Sequence, residues 1–363
     1  MTPALVLIDD NQTWLDKLET ALRGEIGAEA EVIGWLPTRN DDAEAHFGKL
    51  IEDHDVRLVV TDYDLTKGAY GLFGATIVDW CQKFSVPVGD FSRGKPSALP
   101  TEPNLFELRV PTDLDKAVRY VSTVLRGFVE IRKRIGNTPE LLRQRSPAAA
   151  LALMLHAKPL ESQFSQYGAR YAGANPALVD ALAKRVATDP NTQEAQKEIL
   201  LTYITGHLLA NGILRYPGPI AGRDALAAYL AIDESAISEV SELLADTRYS
   251  GPFDGLDEFF WVHRVDAVLD SLEERISDNE TFESQGSRRR RCLELALRRQ
   301  LARAPKCPRC AGLNGGFLCP FTRSAVCERS DCSVVSNVWI PAGARLCRFE
   351  KEFYDEWAPI LGM

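Results

Sequence analysis

Two short apolar segments that each end in aspartate constrain the fold of this chain more than any other feature. Residues 4–10 form the first and residues 57–62 form the second, so Asp9, Asp10 and Asp62 stand at their ends. Apolar runs of this length are typical of strands that are covered on both faces of a sheet. Because apolar residues then recur every three or four positions, the first strand is predicted to lead into a helix.

Strand-like and helix-like segments alternate along residues 1–135. Consecutive parallel strands need crossover connections, and helices that make these connections cover both faces of the sheet. The fold class predicted for this region is therefore an α/β doubly wound parallel sheet with five strands. The five strand-like segments are residues 4–10, 31–36, 57–64, 86–91 and 105–110.

The three aspartates at the strand ends are predicted to converge, because the carboxyl ends of parallel strands meet at one edge of a sheet. Carboxylate oxygens are hard ligands that suit Mg²⁺, and a cation would relieve the repulsion between three acids. The simpler interpretation is that Asp9, Asp10 and Asp62 are solvated acids without a ligand. The pattern predicts a magnesium site at this edge and leaves that alternative open.

These residues resemble the response-regulator receiver (CheY-like) family over about the first third of the chain. The resemblance implies that Asp9 and Asp10 bind Mg²⁺ and that Asp62 is the phosphorylated aspartate. It also implies that the backbone carbonyl of Asp64 binds the metal. Ser92, which lies 30 residues beyond Asp62, takes the place of the hydroxyl that senses the phosphoryl group.

One position departs from the family pattern. The residue before Pro111 is Val110, where the family has a lysine that pairs with the acyl phosphate. Arg109 is one position away, and side chains alternate along a strand, so Arg109 would point to the opposite face unless the strand bulges. Lys95 is a possible substitute on a loop. Two interpretations therefore stay open, namely a phosphorylated receiver and a pseudo-receiver that serves as a docking module.

Cysteines cluster near the carboxyl end of the chain. Cys307 and Cys310 are separated by two residues, and Cys327 and Cys332 are separated by four. Two close pairs of this kind resemble a zinc ribbon and predict a Zn²⁺ site with four thiolates, which is structural because it leaves no open coordination position. The other cysteines of the cluster could replace one of the four, and all six could also be unligated thiols. These other cysteines are Cys319 and Cys347.

The net charge of −9 hides a basic end, because residues 287–363 alone carry 14 Lys+Arg and 7 Asp+Glu. An arginine-rich helix that also has an apolar stripe begins this segment. Such a helix beside a zinc module fits binding to the phosphate backbone of DNA or RNA. The alternative is that the arginines dock on the acidic remainder of the chain or on a protein partner. The candidate contact residues are Arg288, Arg289, Arg290, Arg291, Arg298 and Arg299.

We predict three domains, which are a receiver-like domain over residues 1–135, a mostly helical domain over 136–286 and a basic helix with a zinc module over 287–363. The helical domain carries neither a nucleophile elbow nor a phosphate-binding or dinucleotide-binding glycine motif. No enzymatic activity is therefore expected beyond phosphorylation and dephosphorylation of the receiver, and the alternative that stays open is an effector enzyme whose active site in the helical domain carries no recognisable motif. The aromatic residues 259–261 are expected to lie within a helix around residues 256–275.

The domain set predicts a signalling or regulatory protein in which the receiver-like domain controls what the carboxyl-terminal parts bind. Its expected partner is a histidine kinase or another signalling protein, with nucleic acid as a further partner of the basic end. The alternative is a non-phosphorylated scaffold that holds a protein complex together. Because no apolar run approaches the roughly 20 residues of a membrane-spanning helix, a cytoplasmic protein without a membrane partner is expected.

Overall fold

A computed structural model describes most of the chain, and its contacts group the chain into two compact units. The first unit comprises Met1–Lys158, Tyr171–Asn211 and Gly251–Leu256, and the remaining residues form the second. The proposed division into three domains stays a prediction. The described residues are 2–38, 42–68, 71–91, 107–174, 190–273, 276, 280–307, 309–312, 315–335 and 340–361.

A five-stranded parallel sheet forms the amino-terminal part of the first unit, in the order β2-β1-β3-β4-β5. Helices alternate with the strands, so the predicted α/β doubly wound class is confirmed. The elements are β1 (Pro3–Ile8), α1 (Gln12–Ile26), β2 (Glu31–Trp35), α2 (Ala43–Asp53), β3 (Asp55–Asp62), α3 (Gly74–Phe84), β4 (Val88–Phe91), β5 (Glu107–Arg109) and α4 (Leu114–Asn137).

Helix α1 shows how the local sequence positions the acidic strand ends. The side chain of Asn11 accepts a hydrogen bond from the Trp14 amide and caps the helix directly after Asp10. This cap satisfies one of the amides that an α-helix leaves unpaired at its start. The buried face of α1 carries Leu15, Leu18 and Leu22, at the predicted helical spacing.

The other described parts of the first unit are mainly helical. Helix α4 is 24 residues long, continues the receiver-like part and packs against the helix Pro190–His207. The pair Ser146 and Pro147 predicts a helix N-cap, and the structure confirms it, since the Ser146 hydroxyl accepts a hydrogen bond from the Ala149 amide. The sequence also predicts a helix over residues 176–188, a range that lies outside the described residues. The further helices of this unit are α5 (Pro147–Met154) and α7 (Pro190–His207). Helix α6 (Glu161–Ala174) belongs to the second unit up to Arg170, and its residues from Tyr171 belong to the first.

The packing between α4 and α7 depends on a glycine. A Cβ atom added to Gly206 would lie far inside contact distance of the buried Phe128 ring. We expect Gly206→Ala to lower the free energy of unfolding by about 1–3 kcal/mol, because the ring must move in a close-packed core. Thermal unfolding followed by circular dichroism measures the effect. Gly24→Ala in α1 is the control, since nothing lies within 4 Å of its added Cβ. An equal melting temperature for the Gly206 variant would contradict this packing.

The second unit contains a two-stranded antiparallel sheet, and each of its strands leads directly into a helix. Phe259–Trp261 forms one strand and pairs with Ile220–Gly222. The prediction that these three aromatic residues lie in a helix is therefore wrong. Bulky aromatic residues favour strands, and this pairing buries all three of them. The elements are β6 (Ile220–Gly222), α8 (Arg223–Leu230), α9 (Ile237–Val240), β7 (Phe259–Trp261) and α10 (Val262–Glu273).

Short hairpin strands and a final helix complete the second unit after a helix that carries the arginine run. This part contains the cysteine-rich cluster, as the predicted fold class requires. Among the helices of the described ranges, none has the length and apolar character needed to cross a bilayer. The elements are α11 (Gln285–Leu297), β8 (Phe317–Leu318), β9 (Ala325–Val326), β10 (Ser333–Val334), β11 (Phe349–Glu350) and α12 (Lys351–Leu361).

Candidate functional site

Three aspartates form a cluster at the carboxyl edge of the parallel sheet. Asp9 and Asp10 follow β1 directly, and Asp62 is the last residue of β3. One carboxylate oxygen of each lies within 4.8 Å of those of the other two. Asp9 is only 5% exposed, whereas the other two are half-buried. The structure therefore brings together the acids that the strand pattern predicts at one edge.

Backbone amides orient the three carboxylates. Asp9 Oδ1 accepts a hydrogen bond from the Asn11 amide at 2.8 Å, and Asp62 Oδ1 accepts one from the Tyr63 amide at 2.8 Å. Asp10 Oδ2 accepts from the Lys67 amide at 3.0 Å. These bonds fix the directions of the three carboxylates, and the close approach of three negative charges favours a divalent cation.

Asp64 and Gly74 lie on either side of the connection from β3 to α3, close to Asp62 in sequence or in space. The Asp64 carboxylate accepts hydrogen bonds from the hydroxyl and amide of Thr66, and these bonds lower the pKa of Asp64. Its side chain is therefore engaged in the turn, which is compatible with a metal contact through the backbone carbonyl alone. Gly74 begins α3, and a Cβ there would lie 2.5 Å from the carbonyl oxygen of Asp62. Sequence reasoning missed this close approach.

The position of the family lysine is apolar. Val110 is 7% exposed, and its amide donates to the Asp90 carbonyl at 2.9 Å. Asp62 pairs with Phe91 across β3 and β4, whereas Arg109 pairs with Asp90 across β4 and β5. Paired residues of parallel strands share a face and successive residues alternate, so Arg109 lies on the face opposite Asp62.

The surroundings of Arg109 agree with this placement. Burial raises the pKa of Asp90, and the positive charge of Arg109 partly opposes that rise. On the other face, the Phe91 ring packs against Trp14 with ring centroids 5.3 Å apart. Arg109 therefore does not replace the lysine. Ser92 and Lys95 lie outside the described residues.

The four cysteines of the two close pairs form a second cluster. The sulfur atoms of Cys307, Cys310, Cys327 and Cys332 all lie within 4.8 Å of one another. The sulfurs of Cys310 and Cys327 are 3.9 Å apart. A tetrahedral zinc site with Zn–S bonds of about 2.3 Å has sulfurs separated by about 3.8 Å. The cluster is therefore close enough to bind a metal such as zinc.

Backbone amides of both cysteine turns point at sulfur. The amides of Cys310 and Arg309 donate to Cys307, and the amide of Arg329 donates to Cys327. Burial raises the pKa of the Cys307 thiol, but these amide bonds together with hydrogen bonds from the Cys310 and Cys332 thiols bring it to about 7. Burial raises the pKa of Cys327 and of Cys332. Hydrogen bonds that favour thiolates are suited to metal ligation.

The remaining cysteines of this region lie apart from the four-cysteine cluster. Cys319 and Cys347 are both buried. The Cys347 thiol donates a long hydrogen bond of 3.6 Å to the Pro217 carbonyl, and complete burial raises its pKa well above the usual range. Both behave as small core residues in the described structure.

Three arginines of the basic segment pair with carboxylates of the second unit. Arg288 pairs with Glu273 at 3.1 Å, and Arg291 pairs with Glu280 at 3.0 Å. Arg299 pairs with a third acid, Glu239. These side chains connect α11 and its following turn to neighbouring segments.

The other three candidate arginines differ in their surroundings. The Arg289 guanidinium lies over the Tyr229 ring, 3.7 Å from its centroid. Arg290 is buried and donates to the Ala231 carbonyl at 3.1 Å. Arg298 is exposed at the end of α11 and has a left-handed backbone conformation with φ of 55°.

Arg290 is expected to matter for stability more than its neighbours. It is 6% exposed and lies 3.6 Å from Glu294, which is also largely buried. Arg290→Ala would leave this carboxylate and the Ala231 carbonyl without the guanidinium, so we expect a loss of about 2–3 kcal/mol in unfolding free energy. Urea unfolding of the full chain measures it. The exposed Arg298→Ala is the matched control and should stay within about 0.5 kcal/mol of the native value. Equal stability of the two variants would show that Arg290 is not a structural residue.

No protein-family model matches the chain, and no curated protein matches it.

Proposed function

We propose that the protein is a signalling or regulatory protein in which Asp62 accepts a phosphoryl group. One observation carries the proposal, namely the convergence of the Asp9, Asp10 and Asp62 oxygens within 4.8 Å at the carboxyl edge of a receiver-like sheet. The hard oxygen ligands fit Mg²⁺, which would be held by these acids and by the Asp64 backbone carbonyl. The expected donor is a phosphorylated histidine kinase or another signalling protein.

The reaction requires a nucleophile and compensation of charge. An oxygen of the Asp62 carboxylate attacks the phosphorus of the donor, the bond from phosphorus to the donor atom breaks, and the leaving group departs with the electron pair. Mg²⁺ would supply charge neutralisation for the phosphoryl oxygens. Asp9 and Asp10 would hold the cation, and the Tyr63 amide orients the attacking carboxylate through its bond to Asp62 Oδ1. The product is a mixed anhydride on Asp62.

Labelling with a small phosphodonor tests this function. Incubation with acetyl phosphate and Mg²⁺ should add one phosphoryl group per chain, which intact-mass spectrometry detects. Omission of Mg²⁺ should abolish the addition, since nothing then offsets the repulsion between the carboxylates and the donor. Absence of both labelling and beryllofluoride binding would overturn the phosphoryl-acceptor function.

The surroundings of the missing lysine favour a second candidate function. Val110 is buried and Arg109 lies beside Asp90, so neither offers a cation to a phosphoryl group on Asp62. A receiver of this kind could act as a docking module in a protein scaffold without being phosphorylated. The same labelling experiment separates the two functions, because a docking module of this kind gains no phosphoryl group from acetyl phosphate.

We also propose that Cys307, Cys310, Cys327 and Cys332 bind a structural Zn²⁺. The approach of the four sulfurs to within 4.8 Å of one another and the amide bonds to Cys307 and Cys327 support this assignment. Four thiolates leave no position for water or substrate, so the metal stabilises the fold and does not take part in catalysis. Elemental analysis of the purified protein should find one zinc per chain.

The contacts of the arginines in residues 288–299 favour a role in contacts within the chain over nucleic-acid binding. Arg288, Arg291 and Arg299 already pair with carboxylates, and Arg290 is buried. Binding to a phosphate backbone would have to replace these ion pairs. A mobility-shift titration with DNA and RNA at several salt concentrations tests the remaining alternative, because backbone binding weakens steeply as salt rises.

A further inference from the structure

A continuous chain of hydrogen bonds leads from a guanidinium to one of the zinc-ligand residues. Ser333 comes directly after Cys332, is the first residue of β10 and is 1% exposed. Its hydroxyl donates to the Cys327 carbonyl at 2.6 Å and accepts a hydrogen bond from Arg348 Nε at 2.7 Å. Arg348 Nη2 also donates to the Ser333 carbonyl at 3.2 Å. Ser333 therefore connects Arg348 to the backbone of Cys327.

The neighbouring ligand residue is connected to the same distant segment. The amide of Lys351 donates to the Cys332 carbonyl at 2.9 Å. Strand β10 also pairs with β11, which places Ser333 opposite Glu350. Lys351 thus holds Cys332 directly through its carbonyl group, whereas Arg348 reaches the Cys327 carbonyl only through Ser333.

The first cysteine turn is built differently. The Cys307 amide donates to the Gly312 carbonyl at 2.8 Å, and the Ala311 amide donates to the Cys307 carbonyl at 2.9 Å. These bonds lie within a segment of a few residues. The first turn therefore has local bonds that shape it, whereas the second turn also relies on a segment that contributes no sulfur to the cluster.

We propose that Ser333 and Arg348 are positioning residues of the four-cysteine site and that they determine its metal affinity. This inference rests on the proposed zinc binding. Four thiolates around Zn²⁺ carry a net charge of −2, and four sulfurs held close together repel one another before the metal arrives. The Arg348–Ser333 pair fixes the backbone of Cys327 and brings a positive charge to the same turn, so less reorganisation is needed on binding.

The contacts of Arg348 indicate that its guanidinium is held in one position beside Ser333. Its guanidinium lies over the Phe317 ring, 5.2 Å from the centroid, in addition to its two bonds to Ser333. A planar guanidinium held by a ring and by two acceptors has little freedom to leave the turn. Neither residue contacts the metal directly in this proposal, since both act through the Cys327 backbone.

Metal competition tests the proposal on the full chain. Ser333→Ala and Arg348→Gln should each raise the Kd for zinc by about 10-fold or more, as measured against a chromogenic chelator. With Co²⁺ at saturation, the visible absorption bands of the tetrahedral thiolate site should shift in both variants. A residue that only stabilised the fold would leave these bands unchanged. Ser324→Ala is the control, because that hydroxyl is exposed and donates to the Thr322 carbonyl at 3.4 Å.

The double variant distinguishes the chain of bonds from two separate effects. If Arg348 acts through Ser333, Ser333→Ala combined with Arg348→Gln should bind zinc about as weakly as the weaker of the two single variants. Single-variant affinities within twofold of the native value, or an equal loss in Ser324→Ala, would overturn the proposal. Failure of the native protein to bind zinc at all would instead overturn the zinc assignment itself.

Discussion

Asp62→Asn is expected to abolish incorporation of a phosphoryl group from acetyl phosphate. The amide keeps the size of the side chain but removes the negative charge and the nucleophilic oxygen, so no mixed anhydride can form. It also removes one of the three carboxylates that lie within 4.8 Å of one another. The expected loss is at least about 1,000-fold in labelling rate, because the acceptor atom itself is gone. Intact-mass spectrometry with and without Mg²⁺ measures it.

Asp64→Asn provides the matched control for this experiment. Its side chain bonds to Thr66 in the turn, and the expected metal contact uses the backbone carbonyl only. Labelling of the Asp64 variant should therefore remain within about threefold of the native rate, the difference reflecting a small change in local charge. Labelling that persists in Asp62→Asn would place the phosphoryl group on another residue, and the proposed function would then lose its acceptor.

The missing lysine adds a second expectation to the same measurement. Because Val110 is buried at the family position, the response of the fold to phosphorylation should be weak even if labelling succeeds. Val110→Lys would place a cation on the face of the sheet that carries Asp62. Stronger protection of β4 and β5 amides in hydrogen exchange after labelling of this variant would show that the lysine was the missing part of the switch.

The parallel sheet was predictable because its buried strands are short apolar runs. Residues 4–8 are covered on both faces and therefore contain no polar residue, which distinguishes them from the surface helices around them. The strand Phe259–Trp261 was not predictable in the same way. It is only three residues long, too short to show an alternating pattern, and a strong helical pattern follows it directly. Its pairing with Ile220–Gly222 is a tertiary effect.

The residues of the two clusters could be predicted from the sequence, but several contacts around them could not. The cysteine turns are local, so the spacing of Cys307 and Cys310 almost determines that their sulfurs meet. The acids could be placed because parallel strands end at one edge of the sheet. The acidic partners of the arginines could not be placed, since Glu273 and Glu280 reach Arg288 and Arg291 only through the packing of the second unit. The same is true of the contact between Ser333 and Arg348.

Cys327→Ser is expected to cause the largest loss of stability in the second unit. The hydroxyl is a poor zinc ligand, and it replaces a sulfur that lies 3.9 Å from Cys310 and within 4.8 Å of the other two. Structural zinc sites contribute directly to folding, so the variant should lose bound zinc and unfold at a lower temperature. We expect the melting transition assigned to this unit to fall by at least about 10 °C, which corresponds to several kcal/mol. Elemental analysis and calorimetry measure the two effects.

Cys319→Ser separates metal binding from the general cost of altering a buried cysteine. Cys319 is completely buried but lies outside the cluster of four sulfurs, so its replacement should destabilise the fold by burial of a hydroxyl alone. Zinc content should then stay at one atom per chain, and removal of the metal by a chelator should still lower the melting temperature of this variant. Because chelation would have nothing to remove from Cys327→Ser, a chelator-dependent shift in that variant would mean that a different set of cysteines holds the metal.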